Sequence, residues 1–137
     1  MIVITGKWIM QGGDLTDALA VRKSVFGRGA DALDDLSQSV VVYDGAGLPA
    51  GAARLYWQEG AFRVDTVGVL EALRGQGYGD LLMRLVIYKA QSHSAKTLIL
   101  TPTEGTRAFF ARYGFSGDGE MALAVDNARL GCGHTAE

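Results

Sequence analysis

The chain reads Val67-Gly68-Val69-Leu70-Glu71-Ala72-Leu73-Arg74-Gly75-Gln76-Gly77-Tyr78-Gly79-Asp80 across its most informative stretch. An apolar strand ends in this stretch, a glycine-rich turn follows, and a helix begins. The first backbone N–H groups of a helix have no partner within the helix and lie at the positive end of its dipole. Because glycines let an anion approach these groups closely, the stretch is typical of a phosphate site. The alternative is a tight turn that binds nothing.

Two common nucleotide-binding motifs do not fit this stretch. The dinucleotide fingerprint Gly-x-Gly-x-x-Gly has a third glycine where this chain has Asp80, and it follows a parallel sheet rather than a meander. The P-loop pattern is missing as well, because Gly6-Lys7 is the only Gly-Lys pair and its neighbours do not match. Neither a Rossmann domain nor a P-loop nucleotide hydrolase is therefore expected.

The residues before the glycine turn predict one helix and an antiparallel meander. Asp14 caps the helix and Gly27 ends it. A short helical turn is expected at Ala32 to Leu36. Turn residues separate three apolar runs, which we expect to pair as neighbours. The predicted strands are Ser39–Tyr43, Ala50–Trp57 and Phe62–Leu70.

The residues after the turn predict a helix from Gly75, with apolar positions at helical spacing. A short apolar strand of buried type follows at Thr97 to Thr101. This unit is strand–helix–strand, so its two strands should be parallel and the crossover right-handed. The remaining predictions are a helix from Thr103 or Glu104 to Tyr113, ended by Gly114, and a last strand from Glu120 to Val125.

Length and composition indicate one domain over residues 1–137, with 126–137 as a tail. Of the 137 residues, 48% are hydrophobic, which is enough for a core without disulfide or metal. The formal charge of −2 does not favour nucleic acid as a partner. No apolar run approaches the ~20 residues of a membrane helix, so we expect a cytoplasmic protein that contacts no membrane. The sequence leaves the oligomeric state open, a homodimer included.

The chain has one cysteine, Cys132, so no disulfide can form within it. This fits a reducing compartment. Cys132 lies among glycines near the carboxyl end and is either a reactive thiol or, as we favour, a residue without a role. The two histidines, His93 and His134, do not form a zinc pattern, and we expect no metal.

Three segments resemble the GNAT family of N-acetyltransferases. The glycine turn is similar to its acetyl-CoA pyrophosphate loop, Arg/Gln-x-x-Gly-x-Gly/Ala, through Arg74, Gly77 and Gly79. The run from Phe109 to Phe115 resembles the family's aromatic helix that ends in Gly-Phe. Near the amino end, Arg22-Lys23-Ser24-Val25-Phe26 resembles the Arg-x-x-Val-Phe of small members, which autoinducer synthases of the same fold share. The resemblance implies an α/β fold with a mixed, mostly antiparallel sheet flanked by helices and a splayed parallel strand pair at the acetyl-CoA site.

The resemblance also implies how acetyl-CoA, the expected co-substrate, is held. The strand before the loop would hydrogen-bond the pantetheine arm through Val67, Gly68 and Val69. The Val69 N–H would polarise the thioester carbonyl and stabilise the oxyanion. Arg74 would place a positive charge near the pyrophosphate. The residues that would wrap the pyrophosphate are Gly75, Gln76, Gly77, Tyr78, Gly79 and Asp80.

The catalytic side chains are less clearly indicated. Relatives often carry a tyrosine that protonates the leaving thiolate at the position of Phe110, which cannot donate a proton. Tyr113 lies one helical turn further on, as a candidate acid or a packing residue. Thr103 stands where many relatives have an asparagine that contacts the cofactor, or it caps the helix. Asp65 and Glu71 are candidate general bases for the attacking amine, or surface residues.

The favoured function is transfer of the acetyl group of acetyl-CoA to an amine, small-molecule or peptide, by direct attack in a ternary complex. An acidic loop at Asp31, Asp34 and Asp35 either attracts a cationic amine or is merely solvated. One alternative is a non-catalytic module that binds acetyl-CoA; another is acyl transfer of autoinducer-synthase type, with long-chain donors. Three aromatic residues are expected in the core or at an interface rather than stacked on substrate: Trp8, Tyr56 and Trp57.

Overall fold

A computed structural model describes residues 5–131 of the protein. Six strands form one sheet whose spatial order is the order of the chain. The strands are β1 (Thr5–Ile9), β2 (Ser37–Tyr43), β3 (Pro49–Gln58), β4 (Ala61–Val69), β5 (Thr97–Leu100) and β6 (Met121–Ala124). The α-helices are α1 (Thr16–Phe26), α2 (Tyr78–Ser92) and α3 (Arg107–Ala111). Short 3-10 helices lie at Ala32–Leu36, Glu71–Leu73 and Val125–Asn127.

The predicted meander and parallel pair are confirmed. Strands β2 to β4 pair as antiparallel neighbours, as predicted, and β1, which lay outside the predicted meander, pairs antiparallel with β2. Strand β5 is parallel to β4 but pairs with it only at Phe62↔Leu98 and Arg63↔Ile99. Beyond Arg63 the two strands separate, and a V-shaped gap opens between them. This gap lies at the carboxyl ends of both strands, next to the start of α2.

A β-bulge bends β4 at the beginning of this gap. The register between β3 and β4 shifts between Ala52 and Arg54, so two residues of β4 lie opposite one residue of β3. Thr66 lies in the bulge with a backbone φ of 47°. The bulge turns the last three residues of β4, 67–69, away from the β5 direction.

The predicted α1 is confirmed, but its N-cap is Leu15 rather than Asp14, and the Leu15 side chain makes no capping bond. The Asp14 carboxylate accepts hydrogen bonds from the Thr16 N–H, at 2.9 Å, and from the Thr16 hydroxyl, at 2.6 Å. Gly27 ends the helix in a left-handed conformation with φ 67°, and its N–H donates to the Lys23 carbonyl.

Two predicted helix starts were wrong. Helix α2 begins at Tyr78 rather than Gly75, because Gly75 and Gly77 have φ of 79° and 95°. Helix α3 begins at Arg107 rather than at residue 103 or 104, because Gly105 has a φ of 83°. The Thr103 carbonyl accepts the Thr106 N–H at 3.1 Å, which makes a turn, so Thr103 does not cap α3.

The sheet separates two apolar clusters. The larger one lies between the sheet and α2, and it includes Leu55, Val64 and Leu98. The smaller one lies under α1 and includes Val41 and Ala52. Both helices flanking the V-shaped gap are therefore fixed to the sheet by buried apolar contacts.

The segment expected as a tail packs on the domain as far as it is described. The Arg129 N–H donates to the Tyr113 carbonyl at 2.8 Å, and Ala128 and Leu130 pack against the larger cluster. The expectations for Cys132 and His134 fall outside residues 5–131.

Candidate functional site

A cavity of about 780 Å³ fills the mouth of the V-shaped gap. This volume lies within the range of small-molecule sites, ~300–1,000 Å³. The cavity is bounded by the end of β4, the first turn of α2, the end of α1 and the segment that carries α3. Of the residues implicated by sequence, those that line it are Val67, Gly68, Val69, Arg74, Gly75, Gly77, Tyr78, Gly79, Asp80, Thr103 and Phe110. Gln76 and Glu71 are exposed and lie outside this lining.

The first turn of α2 presents free backbone N–H groups to the cavity. Gly77 is the N-cap and, being a glycine, offers no side chain to accept from them. The first intrahelical bond is from the Leu81 N–H to the Gly77 carbonyl, at 3.1 Å. The N–H groups of Tyr78, Gly79 and Asp80 therefore remain available at the positive end of a 15-residue helix. This arrangement suits a phosphate or pyrophosphate group.

The last residues of β4 present a free backbone edge to the same cavity. The Leu70 N–H donates to the Ala50 carbonyl of β3 at 2.9 Å. Because backbone groups alternate along a strand, the N–H and carbonyl of Val69 point the other way, into the cavity. The carbonyl of Val69 accepts the Arg74 Nε at 3.0 Å. Val69 can thus pair with an extended ligand as a neighbouring strand would.

Gly68 is required by the close approach of α1. A Cβ atom at this position would lie 2.9 Å from Phe26 Cε2 and 2.9 Å from Val25 Cγ1. Such distances are clashes, so any side chain would push α1 away from β4.

The Asp80 carboxylate points away from the helix N-terminus. It accepts the Tyr113 hydroxyl on Oδ1 and the Arg84 Nε on Oδ2, the latter at 2.8 Å. Burial would raise the pKa of Asp80, but these two hydrogen bonds outweigh it and lower the pKa. Asp80 therefore stays charged, and only its backbone N–H is offered to an anion.

Tyr113 is held in its protonated form. Burial raises the pKa of its hydroxyl well above the ordinary value, and the hydrogen bond to Asp80 raises it further. Since the hydroxyl proton is donated to Asp80, the structure places Tyr113 in a link between the end of α3 and the start of α2.

Asp65 is clamped by a buried arginine. Arg54, 1% exposed, donates from Nε to Asp65 Oδ1 and from Nη2 to Asp65 Oδ2, both at 2.9 Å. The same guanidinium binds Asp31 at 2.5 Å and Asp34 at 3.2 Å. The predicted acidic loop is thus largely neutralised rather than solvated, since Asp34 also makes two bonds of 3.0 Å with buried Arg22.

The aromatic residues outside the motifs lie away from the cavity lining. Trp8 lies under the Lys89 ammonium, 4.9 Å from ring to nitrogen, and Trp57 contacts Phe62 edge-on at 5.0 Å. Tyr56 is half-buried on β3. Within residues 5–131, no three His, Cys, Asp or Glu side chains cluster as a metal site requires. No helix in this part of the chain is long and apolar enough to cross a membrane.

Sequence reasoning missed several residues of the cavity wall. They are Val25, Phe26, Leu73, Glu104, Thr106, Phe109 and Arg112. Arg112 adds a cation to the wall and lies over the ring of Phe109, at 5.7 Å. Five of the seven stand in segments already recognised as informative, namely Val25, Phe26, Leu73, Phe109 and Arg112. Helical spacing alone does not say which face of a short helix meets a ligand.

Comparisons with known proteins agree with this architecture. Escherichia coli ElaA is 20% identical, with 88% of this chain and 99% of that chain covered and a TM-score of 0.75. An acyl-CoA N-acyltransferase from Pseudomonas aeruginosa is 22% identical, with 89% and 97% covered and a TM-score of 0.73. A GNAT family acetyltransferase from Brucella melitensis, solved in complex with acetyl-CoA, is 20% identical, with 90% and 88% covered and a TM-score of 0.66. A comparison with curated protein sequences returned no match.

At these identities the solved structures establish the fold, which is a six-stranded mixed sheet flanked by helices. The sequence profile of the acetyltransferase (GNAT) domain matches residues 35–117. The match covers more than half of the chain, including the glycine turn, α2 and α3. The chain therefore belongs to the GNAT family of acetyltransferases.

Proposed function

We propose that the protein transfers the acetyl group of acetyl-CoA to an amine by direct attack. The observation that carries the proposal is the meeting, in one cavity, of an uncapped helix N-terminus and a free strand edge. The first suits the pyrophosphate of coenzyme A, and the second suits the two amides of its pantetheine arm. The Brucella melitensis relative, solved with acetyl-CoA, supports the choice of donor.

Two parts of the donor, the pyrophosphate and the pantetheine arm, are held by different parts of the cavity wall. The N–H groups of Gly77 to Asp80 bind the pyrophosphate, and Arg74 and Arg112 add positive charge at the cavity wall. The pantetheine arm extends along residues 67–69 of β4. The Arg74 side chain releases the Val69 carbonyl when the arm pairs with it. Phe110 and Thr103 line the opposite side of the cavity.

The chemistry then requires little from side chains. The amine nitrogen attacks the thioester carbon, and the Val69 N–H donates to the oxyanion that forms. Collapse of the intermediate breaks the C–S bond and releases coenzyme A as a thiolate, which leaves readily without an acid. The amine proton passes to water. Asp65 borders the gap between β4 and β5, but both of its carboxylate oxygens accept hydrogen bonds from Arg54, which makes it a weak base. Glu71 is exposed outside the cavity, and the Tyr113 proton is donated to Asp80.

Donor binding is tested by calorimetric titration with acetyl-CoA, using two substitutions at one position. Arg74→Gln keeps a polar side chain that the family loop also accepts, and it should bind within about fivefold of the wild type. Arg74→Glu places a negative charge beside the phosphates and should weaken binding about tenfold or more. Equal affinity for both variants, or no binding by the wild type, contradicts the assigned site.

A screen of amines with detection of free thiol then tests turnover. One observation favours a non-catalytic acetyl-CoA-binding module instead: Phe110 lacks a hydroxyl and the Tyr113 hydroxyl is engaged by Asp80. Binding of acetyl-CoA without thiol release on small-molecule amines, lysine peptides and peptide amino termini would establish that second function. Thiol release that depends on one amine class establishes the transferase and identifies its acceptor.

A further inference from the structure

One face of the sheet is open beside the V-shaped gap. Because side chains alternate along a strand, Val64 faces the larger apolar cluster, whereas Arg63 and Asp65 face the other side, where α1 packs on β2, β3 and β4. On β5 and β6 the side chains of this face are half-buried or exposed, as at Ile99 and Ala122. Since the apolar core and α2 fill the opposite side, an acceptor reaches the gap across this open face.

Arg63 lies on the open face at the point where the two strands part. It makes the last pairing between β4 and β5, opposite Ile99. Its guanidinium donates to the Glu120 carboxylate, from Nη1 to Oε2 at 2.5 Å and from Nη2 to Oε1 at 3.4 Å. Within residues 5–131 its buried Nε atom has no acceptor. Since nearly all buried donors in proteins are paired, Arg63 has an unused capacity to bind a carboxylate.

Tyr56 places a second donor beside Arg63. The two residues lie directly opposite each other on β3 and β4, so their side chains are neighbours on the same face. Burial raises the pKa of the Tyr56 hydroxyl, and the charge of nearby Asp65 raises it further. The hydroxyl therefore keeps its proton, and a guanidinium and a phenol together offer the donors that a carboxylate accepts.

The carboxylates of this face favour an anionic partner over a cationic one. Asp31, Asp34 and Asp65 are all held by the buried guanidinium of Arg54, so a cation would have to compete with that arginine. Glu120 is different, because its side chain is 52% exposed. Exposed ion pairs are weak, so an incoming carboxylate can replace Glu120, which then turns to water.

We propose that Arg63 and Tyr56 bind a carboxylate of the acceptor, which is therefore an amine that carries a carboxylate remote from its nitrogen. The inference rests on the proposed function and names the acceptor class for that site. Arg63 precedes Val67, where the donor's arm ends, by four residues, which is about 13 Å of strand. The carboxylate of an α-amino acid is too close to its nitrogen to span this interval. An ω-amino acid, or a peptide with an acidic side chain near its amino terminus, is long enough.

The test measures thiol release from acetyl-CoA with pairs of acceptors that differ only in charge. The first pair is ε-aminocaproate and ε-aminocaproamide, and the second is the amidated dipeptides Ala-Glu and Ala-Gln. A diamine of the same length as ε-aminocaproate supplies a cationic end. In at least one pair, the wild type should use the carboxylate with a kcat/KM about tenfold or more above that of the carboxamide and of the diamine, mainly through a lower KM. The pair that responds distinguishes a free amino acid from a peptide as the acceptor.

Substitutions on both sides of the ion pair should act in opposite directions. Arg63→Gln should bring the ratio of carboxylate to carboxamide to about one, and Arg63→Lys should give an intermediate ratio, because it keeps the charge but not the planar fork. Glu120→Gln should lower the KM of the carboxylate by about threefold, because it removes the charge that competes for Arg63. A pair with a purely structural role would give no such gain.

Arg28→Gln is the matched control, because it removes an arginine from another exposed ion pair, with Asp31 at 3.7 Å. It should keep the wild-type ratio. Thiol release that does not distinguish carboxylate from carboxamide, or that favours the diamine, overturns the inference but leaves the proposed function standing. A folded Arg63→Gln protein with the wild-type ratio also overturns it. If no amine of any kind releases thiol, the proposed function itself fails.

Discussion

Thr66 combines a β-branched side chain with a backbone φ of 47°, a region that such residues rarely occupy. It lies in the bulge of β4, immediately before the three residues that line the large cavity. Its neighbours hold it there: Asp65 is clamped by Arg54, and Gly68 pairs with Ala52 on the other side. Strain at this point is therefore maintained by the surrounding structure and sets the direction of the strand end.

Thr66→Gly should raise the free energy of unfolding by about 1 kcal/mol, because the left-handed conformation costs an L-residue about 1–2 kcal/mol and costs glycine almost none. Urea denaturation measures the change. The control is Thr101→Gly, at an exposed threonine whose φ is not positive. That variant should lose about 0.5–1 kcal/mol from added chain entropy. A loss of the same size at both positions would contradict strain at Thr66.

Replacing Tyr113 distinguishes a structural role of its hydroxyl from a role as the general acid. Its hydroxyl donates to Asp80, and its raised pKa keeps the proton in place. Tyr113→Phe should lower stability by about 1 kcal/mol through the lost hydrogen bond and leave kcat within about threefold. Loss of a general acid would instead lower kcat by about 100-fold or more. Steady-state kinetics with the acceptor that the amine screen identifies measure kcat and distinguish these two results.

At the scale of elements, the site depends on how α1 meets β4. The end of α1 presses Val25 and Phe26 onto Gly68, which brings the helix close enough to form a wall of the large cavity. The buried pair of Arg22 and Asp34 fixes the same helix one turn earlier. The distance between α1 and β4 is thus determined by one glycine and one ion pair.

Gly68→Ala should lower the free energy of unfolding by about 1–3 kcal/mol, since the new methyl group clashes with two side chains of α1. It should also weaken acetyl-CoA binding, because α1 can relieve the clash only by moving away from the donor site. Gly29→Ala is the control: nothing lies within 4 Å of its Cβ position, and its φ is not positive. Thermal unfolding and calorimetry should show that variant unchanged or slightly more stable. Equal effects of the two substitutions would exclude the clash.

The elements also show what the sequence could and could not predict. Alternating apolar runs and turn residues predicted the meander, and the change of period at the glycine turn predicted α2 and the parallel strand. The bounds of α2 and α3 were missed because Gly75, Gly77 and Gly105 adopt positive φ, which composition does not reveal. The sequence indicated Asp65 as a candidate base but gave no sign of its pair with Arg54, since a bidentate pair depends on strand register. The direction of the Tyr113 hydroxyl likewise depends on α2, 33 residues away.

At the scale of the whole molecule, one network of charged side chains joins α1 to β4, the two elements on either side of the large cavity. Arg22 of α1 and Arg54 of β3 share the Asp34 carboxylate of the 3-10 helix Ala32–Leu36, and Arg54 continues to Asp65 of β4. Removing one member of such a network leaves a buried charge without its partner, at a cost of about 3–5 kcal/mol. Helix α1 and strand β4, which both line the large cavity, are thereby linked electrostatically.

This network predicts a specific acid sensitivity. Burial would raise the pKa of Asp34, but hydrogen bonds from Arg22, the Asp31 N–H and Arg54 outweigh it and lower the pKa from 3.8 to about 2. Because the pKa is lower in the folded state, the stabilisation is fully present above about pH 4 and is lost as the pH falls toward 2. The contribution lost over that interval is about 2 kcal/mol.

Urea denaturation between pH 5 and pH 2, values chosen to bracket this transition, measures the loss. Asp34→Asn should be less stable than the wild type at pH 5, yet its stability should fall by about 2 kcal/mol less on acidification. Asp118→Asn, at an exposed loop residue, should keep the wild-type dependence on pH. If Asp34→Asn and the wild type lose equal stability across this range, the carboxylate of Asp34 is not the charge that the two arginines hold in the folded protein. The link between α1 and β4 would then rest on apolar packing alone.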